Sequence, residues 1–589
     1  MSYFAYSSPQ GDPAWKKKIS NRLQEKLKTN KNVDFIIYLK HQFIARIYDK
    51  NMSKQAKAKE VFLKLKHSNL NSQKNLIDFL DQKGVSYRRF FIVNAIAVKG
   101  DAALIEQLAA REDIAYIAAD TWTKQNGYFS RPEVVKRDPP ENTSATTWGI
   151  KMINAGSVWQ MGFKGAGVVV GGQDTGYDWK HEALVTKYRG FIDENTADHN
   201  YNWHDAIHEI NPLNNDSIIS PFNNPCGLDS PQPCDDNGHG THTMGTMIGS
   251  KDSLIIGVAP SSKWIGCRNM ERGWGKPSTY IECFEWFLAP TDLEGKNPDP
   301  AKAPDVINNS WSCPEIEGCD STNWKYMEIA LNNLRASGVF IVVAAGNSGI
   351  WHCGTVNAPP AIFENSFTTG ATSPAFDSTK MSYFDIIAQF SSIGPVSVDH
   401  SNRLKPDITA PGTMVYSSYP GNIYVYSNGT SMAAPHVAGV VALMLSANPE
   451  LKGKPGAIAQ ILINTADPKP HIDTCRGNNS VTVPNAVYGY GRVNALKAVQ
   501  EALRMKKPAN FSAKDVVLYP NPVENYLYIK FDNVYKDFTV AIFDIQGRLL
   551  TRHIKGQQKK LNVSGLNRGM YILMLQQENA VVFKKFIIY

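Results

Sequence analysis

Three polar side chains in small-residue surroundings could together perform nucleophilic chemistry: Asp174, His239 and Ser431. Ser431 follows a Gly-Thr pair and begins an apolar stretch to about residue 445, which predicts a helix with Pro435 in its first turn. The first N–H groups of a helix lack partners and its dipole is positive there, so negative charge developing beside the serine would be stabilised. A serine in this position is, on its own, more often a helix cap. The other two residues therefore decide between the two interpretations.

The histidine and the acid have the surroundings that acid–base chemistry requires. His239 lies between two glycines, which allow substrate backbone to approach a general base closely. Asp174 follows residues 168–172, an apolar run that predicts a buried parallel strand ending in a tight turn. Because a carboxylate can orient an imidazole and stabilise its cation, the three residues could deprotonate a serine for attack on a carbonyl. We interpret the nearby His242 as a packed structural histidine.

These motifs, in the order Asp, His, Ser and at domain-scale spacing, resemble those of the subtilisin-like serine proteases (subtilases), and most of all the bacillopeptidase F type. The resemblance implies that Ser431 attacks the scissile carbonyl, that His239 is base and then acid, and that Asp174 orients His239. A fourth match is residues 342–349, where Asn347 corresponds to the family's amide donor to the oxyanion. Without the other motifs, Asn347 would be interpreted as a turn residue.

Two further segments resemble those that flank the bound peptide in subtilases, where an extended substrate adds a strand through main-chain hydrogen bonds. The substrate-binding residues that this resemblance implies are Gly273, Trp274, Gly275, Ser310, Trp311 and Ser312. The two tryptophans depart from the family's small or aliphatic residues. Their side chains either narrow the cleft or add apolar surface to it, or they pack against the helix predicted after Gly275, and both alternatives stay open.

The segment that must position all these residues runs from about residue 148 to 503. Strand-like and helical segments alternate along it, and the candidate residues fall where strands end. This pattern predicts an α/β fold with a doubly wound, mostly parallel sheet of the subtilisin-like type. At 589 residues the chain is too long for a single core, so other domains must flank this one.

Residues 33–120 alternate as β-α-β-β-α-β, which predicts a small α+β domain of the ferredoxin-like type. Before a subtilase domain, it resembles the inhibitory propeptides of that family, so the chain's own propeptide becomes an expected partner; an unrelated binding domain is the alternative. We expect a polar lead-in over residues 1–32. The polar, proline-containing residues 121–147 are predicted to be a linker that includes the maturation cleavage site.

Residues 511–589 contain short alternating strands with polar turns, which predict a small β-sandwich. The Tyr-Pro-Asn-Pro-Val opening at residues 519–523 and the final basic, apolar strand resemble C-terminal sorting domains of type IX secretion. The resemblance implies a secreted or outer-membrane-surface protein that engages secretion machinery, although no signal peptide is visible in the first ten residues. A carbohydrate- or protein-binding module is the alternative.

The number and position of the cysteines indicate disulfide bonds. All 8 cysteines lie within the protease-like region, and Cys226 with Cys234 and Cys313 with Cys319 are expected as local bridges; scattered buried thiols are the alternative.

The predicted serine-protease chemistry requires no cofactor. The polar insertion between the acid and the histidine leaves room for structural calcium, which is common in subtilases, but its ligands are unknown because no EF-hand spacing is present. His204 and His208 are interpreted as a solvated loop pair rather than zinc ligands.

The composition narrows the function classes. Apolar content of 43% and charged content of 20% are ordinary for a globular protein, and the formal charge of +8 is modest for this length. We find no basic face interleaved with aromatics and no apolar run of about 20 residues, so neither nucleic acid nor a membrane span is expected. The leading hypothesis is a secreted serine endopeptidase, made as an autoprocessed zymogen, that acts on proteins or peptides. An intracellular processing protease and a catalytically silent binding protein on a protease scaffold are the alternatives.

Overall fold

The computed structural model describes residues 14–46, 52–124, 147–213, 224–379, 381–477, 480–505, 516–531, 538–556, 560–577 and 580–589. The chain forms two compact units, Met1–Leu503 and Arg504–Tyr589. Each unit is described separately below.

The first unit begins with a four-stranded antiparallel sheet in the order β2-β3-β1-β4. Its strands are β1 (Val33–Leu39), β2 (Tyr87–Phe90), β3 (Ala95–Gly100) and β4 (Ile114–Ala119), and its helices are α1 (Asn21–Leu27), α2 (Lys54–Ser72), α3 (Lys74–Gln82) and α4 (Ala102–Ala110). Successive side chains of a strand point to opposite faces of a sheet, and β1 is buried on both. Phe35 and Ile37 belong to a core with α1, α3 and α4, whereas Ile36 and Tyr38 belong to a second core shared with the larger domain.

The stretch expected to be a polar lead-in differs from that expectation over its described part. Residues 21–27 form α1, which buries Leu23 completely, and Ser20 caps the helix by accepting a hydrogen bond from the Leu23 N–H (3.1 Å). The leucine is the only apolar residue in its first turn, so the amphipathic pattern was too short to predict a helix. Helices α2 and α3 are separated at Gln73, which is buried and donates a hydrogen bond to the Phe90 carbonyl (2.8 Å).

The larger domain is built on an eight-stranded sheet in the order β16-β15-β14-β13-β6-β10-β7, with β17 also paired to β15. Its strands are β6 (Val169–Asp174), β7 (Trp203–Asp205), β10 (Lys263–Arg268), β13 (Val306–Asn309), β14 (Phe340–Ala344), β15 (Phe367–Asp377), β16 (Ser382–Ile387) and β17 (Ile408–Pro411). All pairs except β15 with β16 are parallel. The predicted mostly parallel α/β sheet is therefore confirmed.

Helices cover both faces of this sheet. They are α5 (Trp148–Met152), α6 (Ala155–Gln160), α7 (His239–Ile248), α8 (Pro277–Leu288), α9 (Trp324–Ala336), α10 (Thr430–Ala447), α11 (Pro455–Thr465) and α12 (Ala495–Arg504). Helix α10 has the length and composition of a membrane span, but 94% of that window is buried within the domain. Its small residues allow this burial: a Cβ at Gly439 would lie 2.5 Å from the Cβ of Val258. The helix is thus the central core helix of the domain.

Short strands complete the first unit. They are β5 (Thr123–Lys124), β8 (Ser250–Lys251), β9 (Leu254–Ile255), β11 (Met270–Glu271), β12 (Trp274–Gly275), β18 (Val415–Tyr419), β19 (Ile423–Ser427), β20 (His471–Ile472) and β21 (Val481–Thr482). Strand β5 lies at the start of the predicted linker, yet it pairs antiparallel with β12 of the larger domain. The described beginning of the linker is therefore a strand rather than irregular chain.

The second unit contains two antiparallel sheets that share one apolar core. One sheet has the order β22-β23-β26 and the other β25-β24-β27-β28. The strands are β22 (Val516–Tyr519), β23 (Tyr526–Phe531), β24 (Phe538–Asp544), β25 (Leu549–Gly556), β26 (Lys560–Asn562), β27 (Gly569–Gln577) and β28 (Ala580–Ile588). Leu527 and Ile529 of the first sheet belong to the same buried cluster as Val540 and Leu573 of the second.

Four disulfides join all eight cysteines of the chain. They are Cys226–Cys234, Cys267–Cys283, Cys313–Cys319 and Cys353–Cys475. Both local bridges expected from the sequence are present. The other two join residues 16 and 122 positions apart, pairings that spacing alone does not indicate.

Candidate active site

The candidate residues collect at one edge of the central sheet. Strands β6, β13 and β14 are neighbours, and their register aligns Gln173 with Asn309 and Asn309 with Val343. Asp174, Ser310 and Asn347 come just after these positions. Because the carboxyl ends of parallel strands meet at one edge, three segments far apart in sequence reach the same place.

Asp174 and His239 form a buried pair at this edge. The Nδ1 atom of His239 lies 2.6 Å from Oδ1 of Asp174, and the relative exposures are 6% and 1%. The same carboxylate oxygen accepts a hydrogen bond from the Thr175 N–H (2.8 Å). His239 is the first residue of α7, so the helix fixes its position. A carboxylate held in this way fixes the imidazole tautomer and makes Nε2 the atom that can exchange a proton.

Ser431 lies in the first turn of α10, as the sequence predicted. Gly429 before the helix has φ of 152°, a conformation that L side chains rarely adopt. The Ser431 hydroxyl donates to the Ser310 carbonyl (3.2 Å), and the Ser310 hydroxyl donates to the Ser431 carbonyl (2.9 Å). Helices α7 and α10 pack against each other, so the helices whose first turns contain His239 and Ser431 are neighbours.

Asn347 is oriented by the residue before the serine. Its Oδ1 atom accepts hydrogen bonds from both the backbone N–H (2.8 Å) and the hydroxyl (3.0 Å) of Thr430. The Thr430 hydroxyl in turn accepts from the Gly346 N–H (3.1 Å). Because Thr430 binds the amide oxygen of Asn347, the Nδ2 atom is left as the donor beside Ser431. Thr430 was not predicted as a site residue, although its place in the Gly-Thr-Ser motif was an available signal.

Asp235 is a second site residue that was not predicted from the sequence. Its carboxylate accepts hydrogen bonds from the Gly238 N–H (2.8 Å), the Thr241 hydroxyl (2.6 Å) and the Thr175 hydroxyl (2.9 Å). Burial raises the pKa of this carboxyl. It joins the loop before His239 to the turn after Asp174, and so holds the two sides of the pair together. An acid four residues before a helix-starting histidine was its only sequence signal.

The other histidines have structural surroundings. His242 is buried, its Nε2 lies 3.0 Å from the Val415 carbonyl, and burial lowers its pKa to about 3. It is therefore neutral and packed, in agreement with its interpretation. His204 and His208 are not a solvated pair: both Nε2 atoms contact Oε1 of Glu282, at 2.8 and 2.9 Å. The buried carboxylate on α8, distant in sequence, could not be anticipated from their spacing.

The segments expected to bind substrate lie on the two sides of the site. Gly273 adopts a left-handed φ of 86°, and Trp274 and Gly275 form β12, which pairs with β11 on one side and with β5 on the other. Trp311 is buried and stacks on Tyr280 of α8, with ring centroids 3.9 Å apart. For Trp311 the helix-packing alternative is therefore the observed one.

A cavity of about 110 Å³ opens beside the serine. Its walls include Ser431 and Asn347, the predicted segment Ser310–Ser312 and the small residues 344–346. Ser312 thus reaches the site together with its two neighbours. In the described part of the chain, no group of three or more His, Cys, Asp or Glu side chains is arranged to hold a metal ion, so no calcium ligand can be assigned.

Fold and site together define a class of protein. A buried aspartate–histidine pair at the carboxyl edge of a parallel sheet, with a serine in the first turn of the central helix and an amide donor beside it, is typical of α/β serine peptidases. Residues 165–491 match the subtilase family, and residues 517–589 match the secretion system C-terminal sorting domain. The chain therefore belongs to the subtilase family of serine endopeptidases, and its sorting domain marks it for secretion to the cell surface or beyond.

Three relatives illustrate how far the similarity extends. Bacillopeptidase F of Bacillus subtilis (strain 168) is 33% identical over 509 residues, which cover 82% of this chain and 32% of that protein. Subtilisin DY of Bacillus licheniformis is 32% identical over 307 residues, covering 52% of this chain and 86% of that protein. Subtilisin Savinase of Lederbergia lenta is 29% identical over 355 residues, covering 60% and 98%. The chain thus spans about a third of the length of bacillopeptidase F, and the predicted resemblance to it is confirmed.

Proposed function

We propose that this protein is a secreted serine endopeptidase that hydrolyses peptide bonds through an acyl-enzyme on Ser431. The observation that carries the proposal is the buried contact of 2.6 Å between His239 Nδ1 and Asp174 Oδ1. His239 begins a helix that packs against the helix whose first turn contains Ser431. Family membership supports the proteolytic activity, and the sorting domain supports secretion.

The proposed steps use each residue at a stated atom. His239 Nε2 takes the proton from the Ser431 hydroxyl as its oxygen attacks the scissile carbonyl, and Asp174 stabilises the imidazolium. The oxyanion receives hydrogen bonds from Asn347 Nδ2 and the Ser431 N–H at the start of α10. The imidazolium then gives its proton to the leaving amine as the peptide bond breaks. Water, deprotonated by the same imidazole, attacks the ester carbonyl. The imidazolium then returns this proton to the Ser431 oxygen as the acyl C–O bond breaks and the second product leaves as a carboxylic acid.

Replacing Asn347 with alanine tests the oxyanion assignment. We expect kcat on a peptide substrate to fall by about 10²–10³-fold, with KM little changed, because the amide donor acts on charge that exists only in the transition state. The magnitude was measured in subtilisin, a member of the same family. The measurement is steady-state hydrolysis by matured wild type and variant with matching melting temperatures. A wild type that cleaves no peptide would contradict the function; an equal kcat would contradict only the assignment.

We further infer that residues 33–120 are an inhibitory propeptide with a ferredoxin-like fold. The strand order β2-β3-β1-β4 supports the fold assignment. The pairing of Thr123 with Gly275 and of Lys124 with Trp274 supports the role, because the chain then occupies the strand position that a substrate would take. We propose that the chain cleaves itself within residues 121–147, most of which lie outside the described residues, and so matures as a zymogen.

Contacts between this domain and helices α8 and α9 support strong docking. At α8, the Asp120 carboxylate accepts hydrogen bonds from the Ser278 N–H (3.0 Å) and hydroxyl (2.6 Å). At α9, Tyr38 stacks on Tyr326 with centroids 3.6 Å apart and donates to Asn323 Oδ1 (2.6 Å). These contacts are buried and polar at both helices, so they specify orientation as well as affinity.

Docking of the N-terminal domain onto helix α8 is expected to depend on pH through Glu285. Burial raises the pKa of this carboxyl to about 8, and its Oε2 accepts hydrogen bonds from the N–H groups of Phe91 (2.5 Å) and Ile92 (2.8 Å). Once the N-terminal domain leaves, Glu285 regains solvent and its ordinary pKa near 4.5. The docked state therefore binds more protons, and docking is strongest below about pH 4.5 and weakens as the pH rises towards 8.

A release experiment checks this prediction. Full-length protein that has just been processed should gain activity faster at pH 8 than at pH 5, with each progress curve scaled to its final rate. Glu285→Gln, which cannot ionise, should reduce this pH difference, whereas Glu106→Gln, at an exposed position of α4, should preserve it. The nearby Arg88, Glu282 and histidines are unchanged in both variants, so the comparison isolates Glu285. Equal pH dependence in the Glu285→Gln and Glu106→Gln variants would contradict the role of Glu285 in release.

The C-terminal unit is proposed to act as a sorting domain with a β-sandwich fold. Two antiparallel sheets over one apolar core support the sandwich assignment. The family match over residues 517–589 favours export over the intracellular alternative. Secretion machinery is accordingly the expected partner of this unit.

A further inference from the structure

Helix α8 begins with residues that are poorly suited to a helix N-terminus. Its N-cap residue, Lys276, has no side-chain oxygen to accept a hydrogen bond, and its charge has the wrong sign for the positive end of a helix dipole. Pro277 has no N–H, and the Thr279 N–H donates to the Lys276 carbonyl (3.0 Å). Ser278 is thus the first-turn residue whose N–H needs an acceptor from outside the helix, and an anion would suit this position.

A carboxylate of the N-terminal domain is the anion observed there. Asp120 accepts hydrogen bonds from the Ser278 N–H (3.0 Å) and hydroxyl (2.6 Å), and its Oδ2 atom lies 3.4 Å from Lys276 Nζ. Asp120 and Ser278 are each 5% exposed. Burial alone would lower the pKa of Lys276, but neighbouring carboxylates, that of Asp120 above all, raise it above its ordinary value. The helix end therefore directs two neutral donors and one cation at a single carboxylate.

Asp120 belongs to the same continuous segment as the strand that occupies the substrate position. Thr123, three residues further on, pairs with Gly275 of β12, and its hydroxyl donates to the Gly275 carbonyl (3.2 Å). A substrate strand that replaces β5 on β12 can follow the same path upstream. Its side chain three residues before the partner of Gly275 then arrives at Ser278 and Lys276.

We propose that, in the matured protein, Lys276 and Ser278 bind an acidic side chain of the substrate, upstream of the scissile bond, at the position that Asp120 holds in the precursor. The inference rests on the proposed function, because cleavage within residues 121–147 is what frees the site. Glu209 also pairs with Lys276 and is retained on maturation, so it keeps the lysine oriented. An adjoining cavity of about 300 Å³, lined by these residues, has room for glutamate as well as aspartate.

The chain's own processing segment provides a substrate in which the position of the acid is known. A synthetic peptide of residues 117–147 contains the whole proposed cleavage region, with Asp120 at its natural distance from Thr123. Matured protein, titrated with a fluorophosphonate, is assayed on this peptide and on its Asp120→Glu, Asp120→Asn and Asp120→Lys versions. We expect similar kcat/KM for the two acids, a value about tenfold lower for Asn, and a still lower value for Lys, because charge-assisted hydrogen bonds are lost and then replaced by repulsion.

Variants of the enzyme identify the residues responsible. Ser278→Ala and Lys276→Met should each lower kcat/KM for the Asp peptide towards that of the Asn peptide, and change the Asn peptide little. Lys151→Met, at an exposed position of α5, should match wild type on every peptide. Titration of active sites removes any contribution from misfolded protein. The comparison of peptides with wild-type enzyme needs no variant, so it decides the question even if a variant fails to mature.

The outcomes separate the inference from the function beneath it. Equal kcat/KM of wild-type enzyme for the Asp and Asn peptides overturns the inference alone. The same holds if Ser278→Ala and Lys276→Met lower the rates of all four peptides by one common factor, which would indicate that these residues support the helix rather than the substrate. No labelling and no cleavage of any peptide would instead contradict the proposed function.

Discussion

Ser431→Ala should leave the precursor as a single full-length species and abolish peptide hydrolysis. The proposed reaction begins at this hydroxyl, and the hydroxyl of the neighbouring Ser310 donates a hydrogen bond to the Ser431 carbonyl instead. We expect kcat to fall by about 10⁶-fold, the loss measured for the same substitution class in subtilisin, a member of the family. Cell-free synthesis followed by electrophoresis measures processing without host proteases.

The control for this experiment lies on the same helix. Ser446 is near the other end of α10 and donates to the Leu443 carbonyl (2.8 Å), far along the helix from the site. Ser446→Ala should mature as wild type does. Normal processing of Ser431→Ala in the cell-free system would refute autocatalysis.

Asp174→Asn should have the second largest effect. The amide keeps the size of the carboxylate but removes the charge that would stabilise the His239 imidazolium, and it can hold the wrong tautomer. We expect kcat to fall by about 10⁴-fold, the size of loss known for this change in a chymotrypsin-type triad. KM should change little, because Asp174 is 1% exposed and contacts His239 rather than substrate. Steady-state kinetics on one peptide separates the two parameters.

Activity of Asp174→Asn should rise as the pH increases, because hydroxide can replace the weakened base. Asp178→Asn serves as a matched control: this carboxylate lies four residues further on and accepts from the Lys180 and Gly421 N–H groups (3.1 and 3.0 Å). It should keep the wild-type rate. Full activity of Asp174→Asn would remove Asp174 from the proposed mechanism.

Local patterns were sufficient for much of the fold. Strand β1, Val33–Leu39, coincides with a run that is apolar except for Asp34, and the helix that contains Ser431 follows from small residues after a Gly-Thr turn. The strand that ends at Asp174 was likewise visible as an apolar run before an acid. These signals are carried by neighbouring residues, so they can be recognised without knowing what packs against them.

Features that depend on distant partners were not predictable. The hydrogen bonds from Thr430 to Asn347 join residues 83 positions apart, and the Cys353–Cys475 disulfide joins residues 122 positions apart. The stacking of Trp311 on Tyr280, and the polar cluster of His204 and His208 around Glu282, likewise arise from packing between elements. Sequence spacing contains no information about such pairings, since the fold alone brings them together.

The most direct test is covalent labelling of the matured protein with a fluorophosphonate, followed by peptide mass spectrometry. A fluorophosphonate reacts with a serine whose hydroxyl is activated by a neighbouring base. We predict a single adduct on the peptide that contains Ser431, and its loss in His239→Ala. An adduct on another residue, or equal labelling of Ser431 without the histidine, would contradict the proposal that the aspartate, histidine and serine act as one unit.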